Sequence, residues 1–533
     1  MALRADEPNR SNLSSGVNDE RGLWELVEAC AAQTPDATLF VDETDRTLSA
    51  QELRDGAERT AAGLAALGVG PDTPVSWMLP TWLEAPVLVA ALARLGAVQN
   101  PILPILGPRE LRFIVTQTQA RLLVVPSVWR GRDYADDARA VAADRPDLDV
   151  LVVDRDAALP AGNPASLPPP PTPTSPDAAP VRWVFYTSGT TADPKGARHT
   201  DHSVKASAVG MVEALAVEAT DCQGLVFPFT HIGGIAWLYT GLLTGCRSVM
   251  VEAFAPPTTI PLLRRQGITL AGAGTTFHLA YLAAQRDDPA TPIFPQVRVF
   301  PGGAAPKPPQ LHYDMKRELG GVGIVSGWGL TEAPILTMNT VHGSDEQLAE
   351  TEGPPTPGVE LRVVRSDGTL AEPGEEGELR AIGPQICKGY LDSSLNADAF
   401  DDQGWFRTGD LGVLRPDRHV RITGRLKDVI IRKGETISAK EVEDALFTHP
   451  DIADVAVIGL PDPVLGERCC AVIVAAPGSE PPTLAQVFDF LKGQGLTIQR
   501  IPEQVEVVDA LPRNPTGKVL KHQLQATYDT PRA

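Results

Sequence analysis

Apolar residues recur every three or four positions over 23–33 and again over 50–68, where Gly68 and Gly70 close the run. That spacing predicts two amphipathic helices near the start of the chain. Short apolar runs follow at 74–80, 121–127 and 149–154, with a longer one at 85–98 between them. The short runs read as buried strands and the longer one as a buried helix. The alternation resumes after residue 181. Runs at 225–229, 248–254, 267–274 and 297–303 read as strands, and 275–286 and 308–320 as helices. Strands alternating with helices imply a largely parallel sheet covered on both faces. From about Gly353 the period changes to two, around DG and PG turns in 357–383, which predicts a hairpin-rich β region.

Beyond 424–428 (GRLKD) the pattern reads β, α, β, β, α, β at 429–434, 438–449, 452–460, 468–476, 483–494 and 503–511. The predicted fold is therefore α/β. A large N-terminal domain (1–423) has parallel-rich sheets and a small β subdomain, and a C-terminal α+β domain covers 429–533. Residues 164–180 hold eight prolines in seventeen positions and read as a polyproline-like surface connector. The first twenty residues are polar and are expected to fray.

The chain has 533 residues, 43 % hydrophobic and 21 % charged, enough for a large core and incompatible with wholesale disorder. Lys plus Arg number 47 and Asp plus Glu 67, a formal charge of −20. Such a surface repels nucleic acid and anionic lipid. The six cysteines include no CxxC pair, which suits free thiols in a reducing compartment. The N-terminal residues lack the apolar core of a signal peptide. The apolar stretch 232–247 is too short and too Gly-rich to span a bilayer. A cytoplasmic protein without membrane insertion is expected, and assembly as a homodimer is compatible with the sequence.

The segment 187–196, TSGTTADPKG, follows an apolar strand and has the parts of a phosphate cradle. Small residues admit an anion to the backbone, hydroxyls of Thr187, Ser188, Thr190 and Thr191 add donors, Gly189 adds freedom, and Lys195 adds charge. It is not a Walker loop, because Lys195 precedes Gly196. No GxSxG, HExxH or zinc-spaced Cys/His cluster is present, and His199 and His202 read as flanking a helix start.

This segment resembles the phosphate-binding signature of the adenylate-forming superfamily: acyl-CoA synthetases, peptide-synthetase adenylation domains and beetle luciferases. Five further strings agree in order: Gly302-Gly303-Ala304, GWGLTE at 327–332, WFRTGD at 405–410, GRLKD at 424–428 and NPTGK at 514–518. The resemblance spans roughly 25–525 and implies a two-step reaction. A carboxylate and ATP give an acyl-adenylate and pyrophosphate, then a thiol, CoA or a carrier protein's, takes the acyl group. A non-catalytic nucleotide-binding homologue is the contrasting reading, and the presence of Lys518 and Glu332 speaks against it.

The resemblance implies roles for named residues. Glu332 would hold Mg²⁺ and Thr331 would donate to the α-phosphate. Asp410 would accept the ribose hydroxyls, seconded by Arg425. Lys518 would bridge the carboxylate and the nucleotide, and Lys427 would be the hinge of a mobile tail. Turning there, the tail would bring Lys433 and Gly434 to the thiol. Trp328 stands where the family usually has a Tyr that stacks on adenine, with Gly302, Gly303 and Ala304 on the other side and Gly329 adjacent. His231 falls where a gate between acyl pocket and thiol tunnel is expected. Trp237, Leu238, Tyr239, Leu242, Thr276, Phe277 and Leu279 are candidate pocket walls, and Gly233, Gly234 and Gly241 suggest room for a wide acyl group. Residues 225–245 contain no Asp or Glu. A substrate α-ammonium would lack a partner there, which favours a carboxylic acid without an α-amine. The chain resembles synthetases for medium-chain, alicyclic or steroid-derived acids more than long-chain enzymes.

Overall fold

A computed structural model describes residues 20–187, 193–303, 307–432, 435–514 and 516–529, with 435 and 436 described by backbone alone. The first helix, Leu23–Gln33, buries Leu23, Trp24, Leu26, Val27, Cys30 and Ala31. The second, Ala50–Ala66, starts at a reciprocal cap: Ser49 Oγ accepts from the Glu52 amide, and Glu52 Oε2 accepts from the Ser49 amide at 2.8 Å. Gly96, at φ +67°, closes the buried helix Glu84–Leu95 in the left-handed conformation.

Six strands form the first sheet, in the order Gly196–His199, Trp183–Tyr186, Val98–Pro101, Pro74–Trp77, Leu122–Val125, Asp149–Val152. All neighbours are parallel except the first pair. A second sheet runs Cys222–Leu225, Arg247–Met250, Thr38–Val41, Thr47–Ser49. Parallel bridges Gln223–Leu270 and Leu270–Val299 carry it toward the parallel pair Phe300–Gly302 and Ile324–Trp328. The run 267–274, expected to be a strand, is reduced to that bridging residue. The amides of Thr269 and Leu270 both turn onto the Cys222 carbonyl, at 2.8 and 3.0 Å, so no ladder extends from them.

The expected β subdomain is an antiparallel sheet of Glu360–Val364, Glu376–Ile382, Phe406–Leu414 and Val420–Arg425. The C-terminal sheet has the order Glu435–Ser438, Val429–Arg432, Gly466–Ala475, Ile452–Asp462, with Gln504–Val507 parallel to Gly466–Ala475. Its core includes Val442, Val457, Ile473 and Leu491. The pattern had suggested neither the strand Glu435–Ser438 nor the closing helix Lys521–Tyr528.

The Pro-rich connector is a strap fastened to the surface. Arg94 donates to the Pro168 carbonyl (2.8 Å), and His202 Nε2 donates to the Thr174 carbonyl (3.0 Å). A Cβ on Gly96 would lie 2.7 Å from Pro171 Cγ. All six cysteines are unpaired and buried. Among the described residues no helix is long and apolar enough to cross a membrane.

Candidate functional site

The C-terminal edges of the parallel strands, the β subdomain and the C-terminal sheet converge on one region. Strand Ile324–Trp328 delivers Trp328, whose side chain is almost wholly buried. Its indole Nε1 donates to Asp410 Oδ2 at 2.8 Å. Arg425 Nε sits 2.9 Å from the other oxygen, Oδ1. Asp410 and Arg425 pair across adjacent antiparallel strands, so sheet register itself creates the ion pair. The Asp410 carboxylate is thereby fixed from both sides while buried.

Glu332 lies just beyond Trp328. Tyr390 Oη donates to Glu332 Oε1 at 2.6 Å, and the Cys387 amide donates to the Glu332 carbonyl at 2.8 Å. Glu332 Oε2 has no hydrogen-bond partner among the described residues, so one hard oxygen is available to a cation. Among those residues no cluster of three or more metal-ligating side chains occurs. A single carboxylate with a free oxygen fits a Mg²⁺ ion that a nucleotide brings with it. Thr331 presents its carbonyl to His199 Nε2 (2.9 Å). That contact makes His199 the Nε2–H tautomer, and burial pushes its pKa down to about 4, so the ring is neutral.

Lys518 reaches this region from the C-terminal unit. Asn514 Oδ1 accepts from its amide (2.9 Å), and Thr276 Oγ1 donates to the Gly517 carbonyl (3.1 Å). Burial, and then the positive charges of Arg425 and Lys427, lower the Lys518 pKa to about 8 against the opposing pull of Asp410 and Asp428. Its ammonium has no ion-pair partner among the described residues. Lys518 is half-buried, with the cations Arg425 and Lys427 and the carboxylates of Asp410 and Asp428 in its surroundings.

Several expected residues are placed and others are not. Lys195 Nζ lies 5.4 Å from the Tyr390 ring centroid, and the Thr187 amide donates to the Lys195 carbonyl at 3.0 Å. Gly302 ends the strand Phe300–Gly302, Gly303 faces the Gly327 carbonyl, and Gly329 packs against the backbone of 333–335. Ser188, Gly189, Thr190, Thr191, Ala304, Lys433 and Gly434 lie outside the described residues. Lys427 sits in a single 3-10 turn between the two sheets.

His231 caps the helix Ile232–Thr244, its Nδ1 accepting from the Gly233 amide (3.1 Å), with its ring edge-on to Phe227. Burial pushes its pKa down to about 4. The glycines beside it do not open a pocket. A Cβ on Gly234 would lie 2.5 Å from the Phe229 carbonyl oxygen, and one on Gly241 3.2 Å from the Cys246 oxygen. They permit close packing of the helix against residues 229 and 246. Tyr239 is also core: fully buried, its hydroxyl donates to Asp201 Oδ1 at 2.9 Å. Thr276, expected as a pocket wall, is a docking point for the Lys518 loop. His199 and Tyr390, which the sequence did not single out, hold Thr331 and Glu332.

The chain belongs to the AMP-binding enzyme family: that family's model matches 27–391, and the model of the AMP-binding enzyme C-terminal domain matches 441–518. It is 32 % identical to a salicyl-AMP ligase / salicyl-S-ArCP synthetase of Mycobacterium tuberculosis, over 96 % of this chain and 91 % of that one. It is 29 % identical to the medium-chain fatty-acid–CoA ligase of Escherichia coli, over 95 % of this chain and 91 % of that one. The solved O-succinylbenzoate coenzyme A synthetase of Bacillus subtilis, in complex with ATP and magnesium ion, matches with TM-score 0.80 at 26 % identity, over 95 % of this chain and 99 % of that chain. The relatives thus comprise both acyl-CoA ligases and acyl-AMP ligases that load carrier proteins.

Proposed function

We propose that the chain is an ATP-dependent carboxylic acid:CoA ligase, and the observation that carries this reading is the half-buried Lys518, whose loop docks on Thr276 near Arg425, Lys427 and Asp410. In the first step a substrate carboxylate oxygen attacks the α-phosphorus of ATP, and the bond to the bridging oxygen breaks to release pyrophosphate. Two anions must meet, so the step needs neutralised charge and fixed geometry. Lys518 supplies positive charge between them. Asp410, held by Trp328 and Arg425, accepts the ribose hydroxyls. Thr331 donates to the α-phosphate, and Lys195 faces the outer phosphates. Mg²⁺, held through Glu332 Oε2, would neutralise phosphate charge. The docking of the Lys518 loop on Thr276 supports an adenylating arrangement.

In the second step a thiol sulfur attacks the acyl carbon of the adenylate, the C–O bond breaks and AMP leaves. Here the tail, 429–533, turns about 424–428 at Lys427, withdraws Lys518 and brings Lys433 and Gly434 to the thiol path. His231, neutral at the head of its helix, stands at the acyl side. The absence of an acidic residue in 225–245 supports an acid without an α-amine. A medium-chain, alicyclic or steroid-derived acid is the substrate class of this reading. A carrier-protein thiol is the second reading, favoured by the likeness to the salicyl-AMP ligase.

The test is pyrophosphate release from Mg·ATP over short, medium, long, aromatic, alicyclic, steroid and amino acids, with and without CoA. CoA-dependent turnover yielding acyl-CoA supports the ligase. Adenylate that accumulates despite CoA transfers the assignment to a carrier-protein acceptor. Nucleotide binding without turnover on any acid would leave a non-catalytic homologue.

A further inference from the structure

The segment 387–391 is pinned on several sides. It lies along the strand Gly196–His199, with an antiparallel bridge between Ala197 and Tyr390. The Lys388 amide donates to the Arg198 carbonyl (2.7 Å), the Arg198 amide to the Gly389 carbonyl (3.0 Å), and the Leu391 amide to the Gly196 carbonyl (2.8 Å). Asn396 Oδ1 accepts from the Tyr390 amide at 2.8 Å. Gly389, at φ +85°, admits Asn396 so closely that a Cβ would lie 2.8 Å from its Oδ1. The Tyr390 backbone therefore has little freedom, and its ring is buried among Ala197, Trp328 and Ala333.

From that fixed base the side chain does two things. Its hydroxyl donates to one oxygen of Glu332, and its ring face lies 5.4 Å from the Lys195 ammonium. We propose that Tyr390 is a positioning residue that holds the Glu332 carboxylate with Oε2 turned to the metal and couples it to Lys195 at the end of the phosphate loop. The proposal rests on the reading of Glu332 as the Mg²⁺ ligand. A glutamate side chain has three rotatable torsions, and a tether on Oε1 removes most of the freedom that metal binding would otherwise have to remove. The tether leaves the ligand oxygen's charge intact, because it occupies the other oxygen.

The experiment uses the full chain and calorimetry with α,β-methylene-ATP, with and without Mg²⁺. Four proteins are compared: parent, Tyr390→Phe, Glu332→Gln and the double variant. Tyr390→Phe keeps the ring and should keep the thermal midpoint and the metal-free affinity. It should lose about tenfold of the strengthening that Mg²⁺ confers, the loss expected for one hydrogen bond to a charged group. In the Glu332→Gln background the same change should cost nothing further. If Glu332→Gln abolishes the Mg²⁺ effect and Tyr390→Phe leaves it whole, the positioning role is overturned and the metal assignment stands. If Tyr390→Phe weakens binding equally with and without Mg²⁺, or costs the same in both backgrounds, the role is likewise overturned. If Glu332→Gln leaves the Mg²⁺ effect intact, the metal assignment itself fails and the positioning role with it.

Discussion

The indole nitrogen of Trp328 and Oδ2 of Asp410 are 2.8 Å apart, joining residues 82 positions apart in sequence. A tyrosine at position 328 would offer a ring face but no nitrogen donor at this place. On the proposed reading, Trp328 would combine a large π face for adenine with a tether for the ribose acceptor Asp410. Replacing it by Phe retains a stacking surface and leaves Asp410 held by Arg425 alone. The KM for ATP should rise about tenfold, the worth of a hydrogen bond to a charged acceptor, while KM for the acid stays put. Steady-state pyrophosphate release at varied ATP checks this, and an unchanged KM for ATP would contradict it.

Lys518 should separate the two half-reactions. Its replacement by Ala removes the cation from the adenylating site and leaves the N-terminal acyl and thiol surfaces intact. Acid-dependent pyrophosphate release should fall by a factor of about 10²–10³, on the scale of losing one electrostatic donor. Thioester formation from supplied acyl-adenylate should survive within a few-fold. The same residue sets a pH limit. The ammonium is the working form, and its pKa in the nucleotide-free enzyme is lowered to about 8. The kcat/KM for ATP, which reports the free enzyme, should hold below pH 8 and decline as pH rises through it. A profile flat to pH 9.5 would sink that assignment.

How much of this was legible in the sequence follows from how local each contact is. The structure joins Asp410 and Arg425 in an ion pair, and the short strings that carry Glu332, Asp410, Arg425 and Lys518 were legible in the sequence. Tyr390 and His199 were not, because their partners lie 58 and 132 positions away, and no local pattern records such a pairing. Periodicity found the parallel strands, whose apolar runs are continuous. It failed at 267–274, where one residue bridges two neighbours. A glycine in sequence marks missing volume, and only packing shows whether backbone or ligand fills it.

Acid should unfold the protein through its buried histidines. Burial lowers the pKa of His199 and His231 to about 4 and that of His278 to about 3, against 6.5 for the exposed ring. Between those values the unfolded chain binds protons that the folded chain does not. The stabilising contribution is thus complete above pH 6.5 and is lost as pH falls through 6 toward 4. The thermal midpoint should drop steadily over that window. His278→Gln should make the drop shallower, and an identical slope in that variant would exclude the histidine from the effect.

A charge cluster joins the two units away from the nucleotide. Lys307, buried beside Glu352, meets Lys440 and Asp444 from the helix Ala439–Leu446. Burial lowers the Lys307 pKa and raises those of Glu352 and Asp444, and the opposite charges counter both shifts. Asp444→Ala would remove the carboxylate that pairs with Lys440 and offsets the charge of Lys307. The adenylating arrangement should weaken, so protease cleavage at 424–428 should quicken several-fold and pyrophosphate release should fall. Thioester formation from supplied adenylate should be spared. Equal cleavage rates in parent and variant would show that the cluster does not hold the seam.

Gly517 provides the most direct test that the Lys518 loop works by docking. Its φ is +83°, and a Cβ there would lie 2.7 Å from Thr276 Oγ1 and 3.1 Å from Thr276 Cβ. Gly517→Ala therefore meets two obstacles: a left-handed backbone that costs an alanine about 1 kcal/mol, and a collision with the N-terminal unit. Only the second depends on docking. Adenylation should fall about tenfold or more by the sum of the two, with the thioester half-reaction unaffected. Adding Thr276→Gly removes the collision and leaves the backbone cost, so part of the lost adenylation rate should return. Thr276→Gly alone loses only the hydrogen bond to the Gly517 carbonyl and should cost a few-fold at most. Recovery in the double variant would tie Lys518 to this docked geometry, and its absence would mean that the loop reaches the nucleotide by another path.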